Sequence, residues 1–411
     1  MITYEQALKA INELASSLSA SLSVETEKIK LLESVNRVLA DDIKSEENIP
    51  YADNSAMDGF ALNAEETLQA TAEQPISFNV RSIIAAGDNV DSQNNGNLNH
   101  TCVEIMTGAI LPAGYYDSVV KVEDIKREGD KIIISAPVFK ASNVRPKGTD
   151  FSVDQDVLSK NTIIKDQHIM ALAALGVAEV HVKKKIRVAM LSTGNEIVSF
   201  EQKHLTRSQV RNSSAPFLKV FLERNHCDVT LVGIQPDDPE SFHQVMSGLL
   251  QSKYDLIITT GAVSMGKWDF ITNTLPDLNM KTLFNKVAIR PGKPILLAHS
   301  TNCKTVLFGL PGNPISTAVG AQFFILPWIK KIMGYQTPEK WAQLVTDVTK
   351  PEGLECFFKA VINTETDLKV RALKAQASYM IHSFVESNCW VQLPTEGALA
   401  KAGSRVRVFD L

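Results

Sequence analysis

Residues 186–196 read Ile-Arg-Val-Ala-Met-Leu-Ser-Thr-Gly-Asn-Glu, an apolar run that ends in a polar turn containing a glycine. Three more apolar runs of strand length follow before residue 335, and helical patterns separate them. The predicted strands span residues 187–191, 229–233, 256–260 and 306–309, with helices near 215–225, 239–252 and 315–331. Apolar strands that alternate with helices are typical of a parallel sheet covered by helices on both faces. Residues 185–335 are therefore predicted to form a doubly wound, mostly parallel α/β domain.

The segments on either side of this domain have different patterns. Thr3 and Gln6 form a capping box before an apolar stripe at helical spacing, so a helix should open the chain. Short β-rich runs at 76–84, 119–122 and 131–134 predict a small inserted β-rich domain. The expected division is a helical/β linker domain (1–48 and 140–184), the inserted β-rich domain (49–139), the α/β domain (185–335) and a C-terminal β-barrel-like domain (336–411). A length of 411 residues, at roughly 150 per domain, agrees with an elongated multidomain chain.

Composition excludes several classes of protein. A net charge of −4 gives no basic footprint for general nucleic-acid binding. The five cysteines contain no CxxC pair and the eight histidines no HExxH pair, which argues against a disulfide scaffold and structural zinc. No secretory pattern opens the chain, and the uncharged run 305–329 is interrupted by Pro-Gly-Asn-Pro, so it is too short to span a membrane. We expect a cytoplasmic protein without nucleic-acid or membrane partners.

Three polar, glycine-containing loops follow strands of the predicted sheet. They span residues 191–196, 259–266 and 310–314 and include Ser192, Gly194, Gly261, Ser264, Gly312 and Asn313. In an open parallel sheet, ligands bind beyond the carboxyl ends of the strands, where loops expose backbone N–H groups. Taken singly, a glycine-containing turn after a strand is more often a plain connector than a ligand site. Three on one sheet favour an anion-binding site.

Charged residues accompany these loops. Glu196, Asp237 and Asp269 supply the oxygen ligands that Mg²⁺ prefers, although helix capping is an equal alternative for Asp237 and Asp269. The segment Arg290-Pro291-Gly292-Lys293-Pro294 places two cations on a proline-stiffened loop that would suit a tetrahedral oxyanion. A solvated basic turn is an equally good interpretation of that segment from composition alone.

Polar strings outside the sheet complete the pattern. Residues 54–60 (NSAMDGF), 106–112 (MTGAILP) and 145–150 (RPKGTD) would each be read as a turn if they stood alone. Together with STGNE, DDP, VSMGKWDF, PGKP and LPGNPIS, they follow the order and wording of known motifs. Over nearly its whole length, the chain resembles the molybdopterin molybdenumtransferase family, which includes MoeA and the E domain of gephyrin.

The resemblance implies an activity and a set of site residues. The activity is insertion of molybdenum from molybdate into the dithiolene of adenylylated molybdopterin, with Mg²⁺-dependent release of AMP. The residues carried over from the motifs are Asp58, Thr107, Asp150, Glu196, Asp237, Ser264, Asp269, Lys293, Pro294, Gly312, Asn313 and Ser316. The adenylate phosphate would lie on the sheet loops, with Mg²⁺ held by Glu196, Asp237 and Asp269. Ser264, Arg290 and Lys293 would hold molybdate.

The resemblance also implies partners. Family members are homodimers in which the small β domain lends Asp58 and Thr107 to the cleft of the second subunit. A molybdopterin adenylyltransferase and molybdoenzyme chaperones are further partners that the family suggests. Two rival functions share the same motifs: a non-catalytic scaffold or binding protein on this fold, and a paralogue that handles tungstate, a tetrahedral oxyanion of nearly the same size as molybdate.

The chain departs from the family pattern at several positions. The departures are Ala262 for a glycine, Arg290 for a lysine, Asn212 and Ser214 for an aspartate and an asparagine, Lys359 for an arginine, and Ala377 for a glycine. Replacing lysine with arginine keeps the cation but changes its geometry. The changes at 212 and 214 put nucleotide contacts at those positions in question.

Overall fold

The computed structural model describes residues 1–21, 25–90, 96–262, 270–363 and 368–411. The chain divides into two compact units. The first comprises Met1–Ala40, Asn161–Ile164 and Val180–Leu411, and the second comprises Asp41–Lys160 and Lys165–Glu179. The four-part division drawn from sequence patterns stays a prediction at the level of its boundaries.

A six-stranded sheet forms the centre of the first unit. Its strands are β1 (Ile186–Thr193), β2 (Cys227–Gln235), β3 (Leu256–Thr260), β4 (Met280–Phe284), β5 (Leu296–Ser300) and β6 (Val306–Leu310). The order is β2-β1-β3-β6-β5-β4, in which the first four strands are parallel, β5 runs antiparallel to β6, and β4 runs antiparallel to β5. The predicted α/β fold with a mostly parallel sheet is confirmed, and the sheet gains two strands, β4 and β5, that the sequence patterns did not reveal.

Helices cover both faces of this sheet because alternate residues of each strand point to opposite sides. Val188 and Met190 of β1 pack in a cluster with Leu218, whereas Ala189 and Leu191 pack with Phe242 on the other face. The helices are Tyr4–Ser21, Ser214–Arg224, Pro239–Gln251, Ile271–Thr274, Pro314–Gly320 and Leu326–Met333, with a π-helical turn at Ala321–Ile325. Strands β1, β3, β5 and β6 are thus buried on both faces over most of their length, which explains their mainly apolar sequences, whereas the edge strands β2 and β4 are partly exposed.

Side chains cap the N-termini of two helices, one of them at the predicted capping box of Thr3 and Gln6. The Thr3 N–H donates to Gln6 Oε1 at 3.0 Å, and the Gln6 N–H donates to Thr3 Oγ1 at 3.1 Å. Asp238 Oδ2 accepts from the Ser241 N–H at 2.8 Å, and Pro239 occupies the first turn. Both contacts satisfy N–H groups that a helix terminus leaves without an intrahelical partner.

A closed ring of five strands follows in the same unit. Its strands are Lys340–Leu344, Glu355–Asn363, Lys369–Ala372, Cys389–Leu393 and Arg405–Asp410, and each pairs with two others. The short strand Ile289–Arg290 pairs in parallel with Glu355–Asn363 from outside the ring. The Phe323 ring stacks on the Phe357 ring at 3.9 Å, so the ring of strands and the central sheet share one hydrophobic core.

Short pairs complete the first unit. Thr26–Lys30 pairs with Glu179–Lys183, Ile197–Val198 with Val210–Arg211, and Val348–Thr349 with Leu399–Ala400. One short helix, His382–Val385, precedes the strand Cys389–Leu393.

The second unit is built on another six-stranded sheet. In spatial order its strands are Ser118–Lys121, Gly59–Leu62, Thr101–Ile105, Ile76–Ile84, Lys131–Ile134 and Lys126–Glu128. Two-stranded pairs join Asn54–Ser55 to Val144–Arg145 and Ile43–Lys44 to Asp156–Leu158, and an α-helix spans Asp166–Ala174. Apolar clusters lie on both faces of the sheet, one around Phe60 and Phe78 and one around Val103 and Ile105.

Within the described ranges, no helix has both the length and the apolar composition needed to cross a membrane.

Candidate functional site

A cavity of about 1320 Å³ lies in the first unit, beyond the carboxyl ends of the four parallel strands. All the predicted site residues that the structure describes in this unit line it: Ser192, Gly194, Glu196, Asp237, Gly261, Arg290, Lys293, Pro294, Gly312, Asn313 and Ser316. The cavity therefore combines the three anion loops, the cationic segment and two carboxylates. The structure places these residues together, while their individual roles stay predictions.

Five predicted residues have a different status. Ser264 and Asp269 lie outside the described residues. Asp58, Thr107 and Asp150 belong to the second unit. Asp58 Oδ1 accepts from both the backbone N–H and the hydroxyl of Thr107, each at 2.7 Å. Within the described chain, no hydrogen bond joins Asp150 to this pair.

The two hydrogen bonds from Thr107 affect the ionisation of Asp58. The backbone N–H and then the hydroxyl favour the charged carboxylate, so they lower the pKa of Asp58 below its ordinary value. Asp58 itself is exposed. This geometry fixes one carboxylate oxygen and leaves Oδ2 free of those two bonds.

Main-chain contacts form the floor of the cavity. The Gly261 N–H donates to the Leu310 carbonyl at 3.0 Å, which joins the loops that follow β3 and β6. Gly261 has φ +94°, and a Cβ there would lie 2.6 Å from the Thr193 carbonyl oxygen, so no larger residue fits. Ala262 also adopts a positive φ, of 49°. The chain thus keeps the left-handed turn although alanine makes it less favourable by roughly 1–2 kcal/mol.

Asn212 has a structural task. Its Nδ2 donates to Ser192 Oγ at 2.8 Å, and its Oδ1 accepts from the Ala215 N–H at 3.0 Å. Thr260 Oγ1 also donates to Ser192 Oγ, at 3.0 Å. Because Ser192 Oγ accepts both bonds, its own hydrogen remains available to an oxygen in the cavity. The departure at 212 therefore orients Ser192 and caps the following helix.

The cationic segment projects from a fixed backbone. Arg290 lies on the strand that pairs with Glu355–Asn363, and the Lys293 carbonyl accepts from the N–H groups of Val287 and Ile295. Both cationic side chains are exposed and line the cavity. Among the described residues, neither forms an ion pair with a carboxylate. Their positive charge is therefore free to attract an anion.

Neither Glu196 nor Asp237 forms an ion pair with a lysine, arginine or histidine among the described residues. Burial raises the pKa of Asp237, and the negative charge of Glu196 raises it further, against a hydrogen bond from the Asn195 backbone. Mg²⁺ is usually held by one or two carboxylates together with substrate phosphates. Glu196 and Asp237 fit that requirement, because a cation would relieve their mutual repulsion. No group of three or more metal-binding side chains occurs in the part of the chain that the structure describes, and the predicted third ligand, Asp269, lies outside it.

One wall of the cavity comes from residues 376–381, which the sequence patterns did not single out as ligands. The Ile315 N–H donates to the Ser378 carbonyl at 3.0 Å, which attaches this segment to the loop that follows β6. Lys359 lies behind the segment with no exposed surface, and its Nζ donates to the Met380 carbonyl at 3.0 Å. Burial lowers the pKa of Lys359 to about 8. The family pattern marked only Ala377 in this segment, and long-range packing brings residues 376–381 to the cavity.

Family models match most of the chain. Residues 2–176 match the MoeA N-terminal region (domain I and II), residues 189–331 a probable molybdopterin binding domain, and residues 342–411 the MoeA C-terminal region (domain IV).

Whole-chain relatives agree with these matches. The chain is 37% identical over 392 residues to the molybdopterin molybdenumtransferase of Synechococcus elongatus, covering 95% of this chain and 96% of that one. It is 31% identical to the enzyme of that name from Haemophilus influenzae, over 99% of this chain and 98% of that one. The crystal structure of a molybdopterin biosynthesis moeA protein from Pyrococcus horikoshii matches with a TM-score of 0.84 at 26% identity, covering all of both chains. The motifs, the fold and these matches agree: the chain belongs to the molybdopterin molybdenumtransferase family.

Proposed function

We propose that this protein inserts molybdenum from molybdate into adenylylated molybdopterin, with release of AMP and formation of the molybdenum cofactor. The observation that carries the proposal is that anion-binding loops, a cationic segment without an ion pair among the described residues, and two carboxylates all line one cavity. The named relatives, which extend over 95% or more of the chain, supply the reaction class.

The loops at the strand ends suit the adenylate phosphate. The loop after β6 leads directly into the helix Pro314–Gly320, and the buried Ser316 hydroxyl in its first turn lines the cavity without a hydrogen-bond partner among the described residues. Gly312 and Gly261 allow close approach of a ligand to the main chain. In this proposal, Ser192 and Ser316 donate to phosphate oxygens.

Arg290 and Lys293 suit molybdate. Two cations on a short segment with fixed backbone can both contact one dianion, and they supply a local positive field in a chain with a net charge of −4. Tungstate would meet the same contacts, since it has the same charge and nearly the same size.

Glu196 and Asp237 would hold Mg²⁺ beside the phosphate. The ion would neutralise negative charge at the phosphate that leaves as part of AMP. The protein's own residues hold the carboxylates in place. The Asp237 N–H donates a hydrogen bond to Asn195 Oδ1 at 3.2 Å, which fixes the backbone of Asp237 beside Glu196.

The proposal includes a homodimer with shared active sites. Asp58 and Thr107, in the unit without the cavity, would act in the cleft of a second copy of the chain. A molybdopterin adenylyltransferase would supply the substrate and molybdoenzyme chaperones would receive the product.

A substitution in the cationic segment tests the function. Each charge-assisted hydrogen bond contributes about 1.5–3 kcal/mol, so Lys293→Ala should weaken molybdate binding about tenfold to a hundredfold. The measurement is AMP release and cofactor formation by purified protein with adenylylated molybdopterin and Mg²⁺, as a function of molybdate concentration. High molybdate should restore much of the rate.

Lys281→Ala is the matched control, since Lys281 is exposed on β4 and does not line the cavity. Absence of AMP release by the unmodified protein would reject the function. An unchanged molybdate dependence in Lys293→Ala would reject the role of this segment.

A further inference from the structure

The wall formed by residues 376–381 carries an aromatic side chain with no function assigned so far. Tyr379 lines the cavity and is 67% exposed. It forms no ring-to-ring or cation–ring contact with any described residue. A large flat side chain thus faces the cleft with its ring unoccupied.

The backbone that presents Tyr379 is held on both sides. On one side the Ser378 carbonyl accepts from the Ile315 N–H. On the other side the Met380 carbonyl accepts from Lys359 Nζ at 3.0 Å and from Ser383 Oγ at 3.2 Å. The residues directly before and after Tyr379 are therefore both anchored. A fixed backbone loses little entropy when a ligand binds, which favours affinity.

Hydrogen bonds of the Gln376 side chain also attach this wall to the ring of strands. Gln376 Oε1 accepts from the Lys359 N–H at 3.0 Å, and Gln376 Nε2 donates to the carbonyls of Lys359 and Leu373 at 2.9 and 2.7 Å. The side chain of Gln376 thus has its amide fully engaged by the main chain. The wall is a rigid part of the cavity.

The chemistry of the surrounding lining agrees with a flat, apolar-faced ligand. Leu205, Ile289, Leu354 and Ile381 line the same cavity as the cationic segment. A tetrahedral oxyanion would make no favourable contact with these apolar side chains, and it is far smaller than the cavity of about 1320 Å³. The cavity therefore has room for a larger, partly apolar ligand. Aromatic side chains bind planar bases by stacking, and each such contact is worth about a factor of ten or more in affinity.

We propose that Tyr379 is a binding and specificity residue that stacks on a planar fused nitrogen heterocycle of the substrate. The inference rests on the proposed function, whose substrate carries two such rings, a purine and a pterin. Stacking positions the ring against the wall while the loops and the cations hold the anionic groups.

The experiment measures binding of two probes to Tyr379→Ala, Tyr379→Phe and Tyr379→Trp. AMP reports on the purine ring and free pterin on the pterin ring, each titrated by calorimetry. We expect Tyr379→Ala to lose about tenfold in affinity for one probe, and Tyr379→Phe and Tyr379→Trp to keep it, since stacking needs the ring and not the hydroxyl. With the full substrate, Tyr379→Ala should raise KM with little change in kcat.

Val385→Ala is the control, because Val385 is exposed on the adjacent helix and does not line the cavity. If Tyr379→Ala loses affinity for AMP alone, Tyr379 stacks on the purine ring. If the variant loses affinity for pterin alone, Tyr379 stacks on the pterin ring. Unchanged affinity for both probes in Tyr379→Ala, while the unmodified protein still releases AMP, overturns the inference and leaves the proposed function standing. A protein that binds these probes through Tyr379 but releases no AMP would overturn the function and keep the stacking site.

Discussion

Lys359 combines complete burial with a single hydrogen bond from its ammonium, to the Met380 carbonyl. Its pKa falls from 10.5 to about 8, because burial disfavours the charged form. Below pH 8 the folded and unfolded states both carry the proton, and the folded state bears the full burial penalty. Between pH 8 and 10.5 the unfolded state binds more protons than the folded state. The free energy of unfolding should therefore rise with pH across that window.

The substitution Lys359→Met removes this penalty. At pH 7 the variant should gain most in free energy of unfolding over the unmodified protein. This gain should shrink by up to about 3 kcal/mol between pH 7 and a pH above 10, because the unmodified protein loses the penalty when Lys359 loses its proton. Urea denaturation at several pH values measures it. Lys281→Met is the control, since the Lys281 ammonium stays in water in both states. A difference that does not change with pH would show that Lys359 does not titrate in this range.

Residues in the motifs were predictable from the sequence, and residues in the wall were not. Glycines and carboxylates after parallel strands converge because strand ends meet at one edge of a sheet. The residues next to Tyr379 are held at the cavity by hydrogen bonds from Lys359 and Ile315, which are distant from it in sequence. Such distant contacts leave no periodic signal. The sequence also could not show that Asn212 binds Ser192 instead of facing a ligand.

At the scale of elements, two adjacent aspartates at the start of one helix have separate tasks. Asp238 caps the helix Pro239–Gln251, whereas Asp237 lines the cavity. We expect Asp238→Ala to lower the free energy of unfolding by about 1 kcal/mol without changing the Mg²⁺ requirement. Asp237→Ala should leave stability nearly unchanged and raise the Mg²⁺ concentration for half-maximal AMP release at least tenfold. Denaturation and Mg²⁺ titration of both variants measure these effects, and identical Mg²⁺ curves would contradict the assignment of Asp237.

One of the two strands that the sequence patterns missed, β4, differs physically from those they revealed. β3 and β6 are buried on both faces. β4 lies at the edge of the sheet, and only its first and last residues, Met280 and Phe284, are buried. A five-residue segment with exposed residues at its centre gives too weak a pattern to distinguish a strand from a loop. The antiparallel hydrogen bonds to β5 hold this segment as a strand.

At the scale of the whole molecule, the proposed dimer makes a complementation test available. A mixture of Asp58→Ala and Asp237→Ala chains should recover part of the activity that each variant alone has lost, because one of the two sites in a mixed dimer would be intact. One variant is labelled with ¹⁵N so that the two chains differ in mass, subunit exchange is followed by native mass spectrometry, and activity is measured as AMP release. Complete exchange without recovered activity would contradict shared sites.

The aromatic core shared by the ring of strands and the central sheet limits how the cleft can change shape. Phe323 stacks on Phe357 at 3.9 Å and meets the Phe409 ring edge-on at 4.9 Å. Rotation of one part against the other would expose these rings to water, at about 1.5–3 kcal/mol for each fully uncovered ring. The distance between the sheet loops and the wall at 376–381 is therefore set by packing. The shared core thus opposes any widening of the cleft by rotation of the ring of strands against the central sheet.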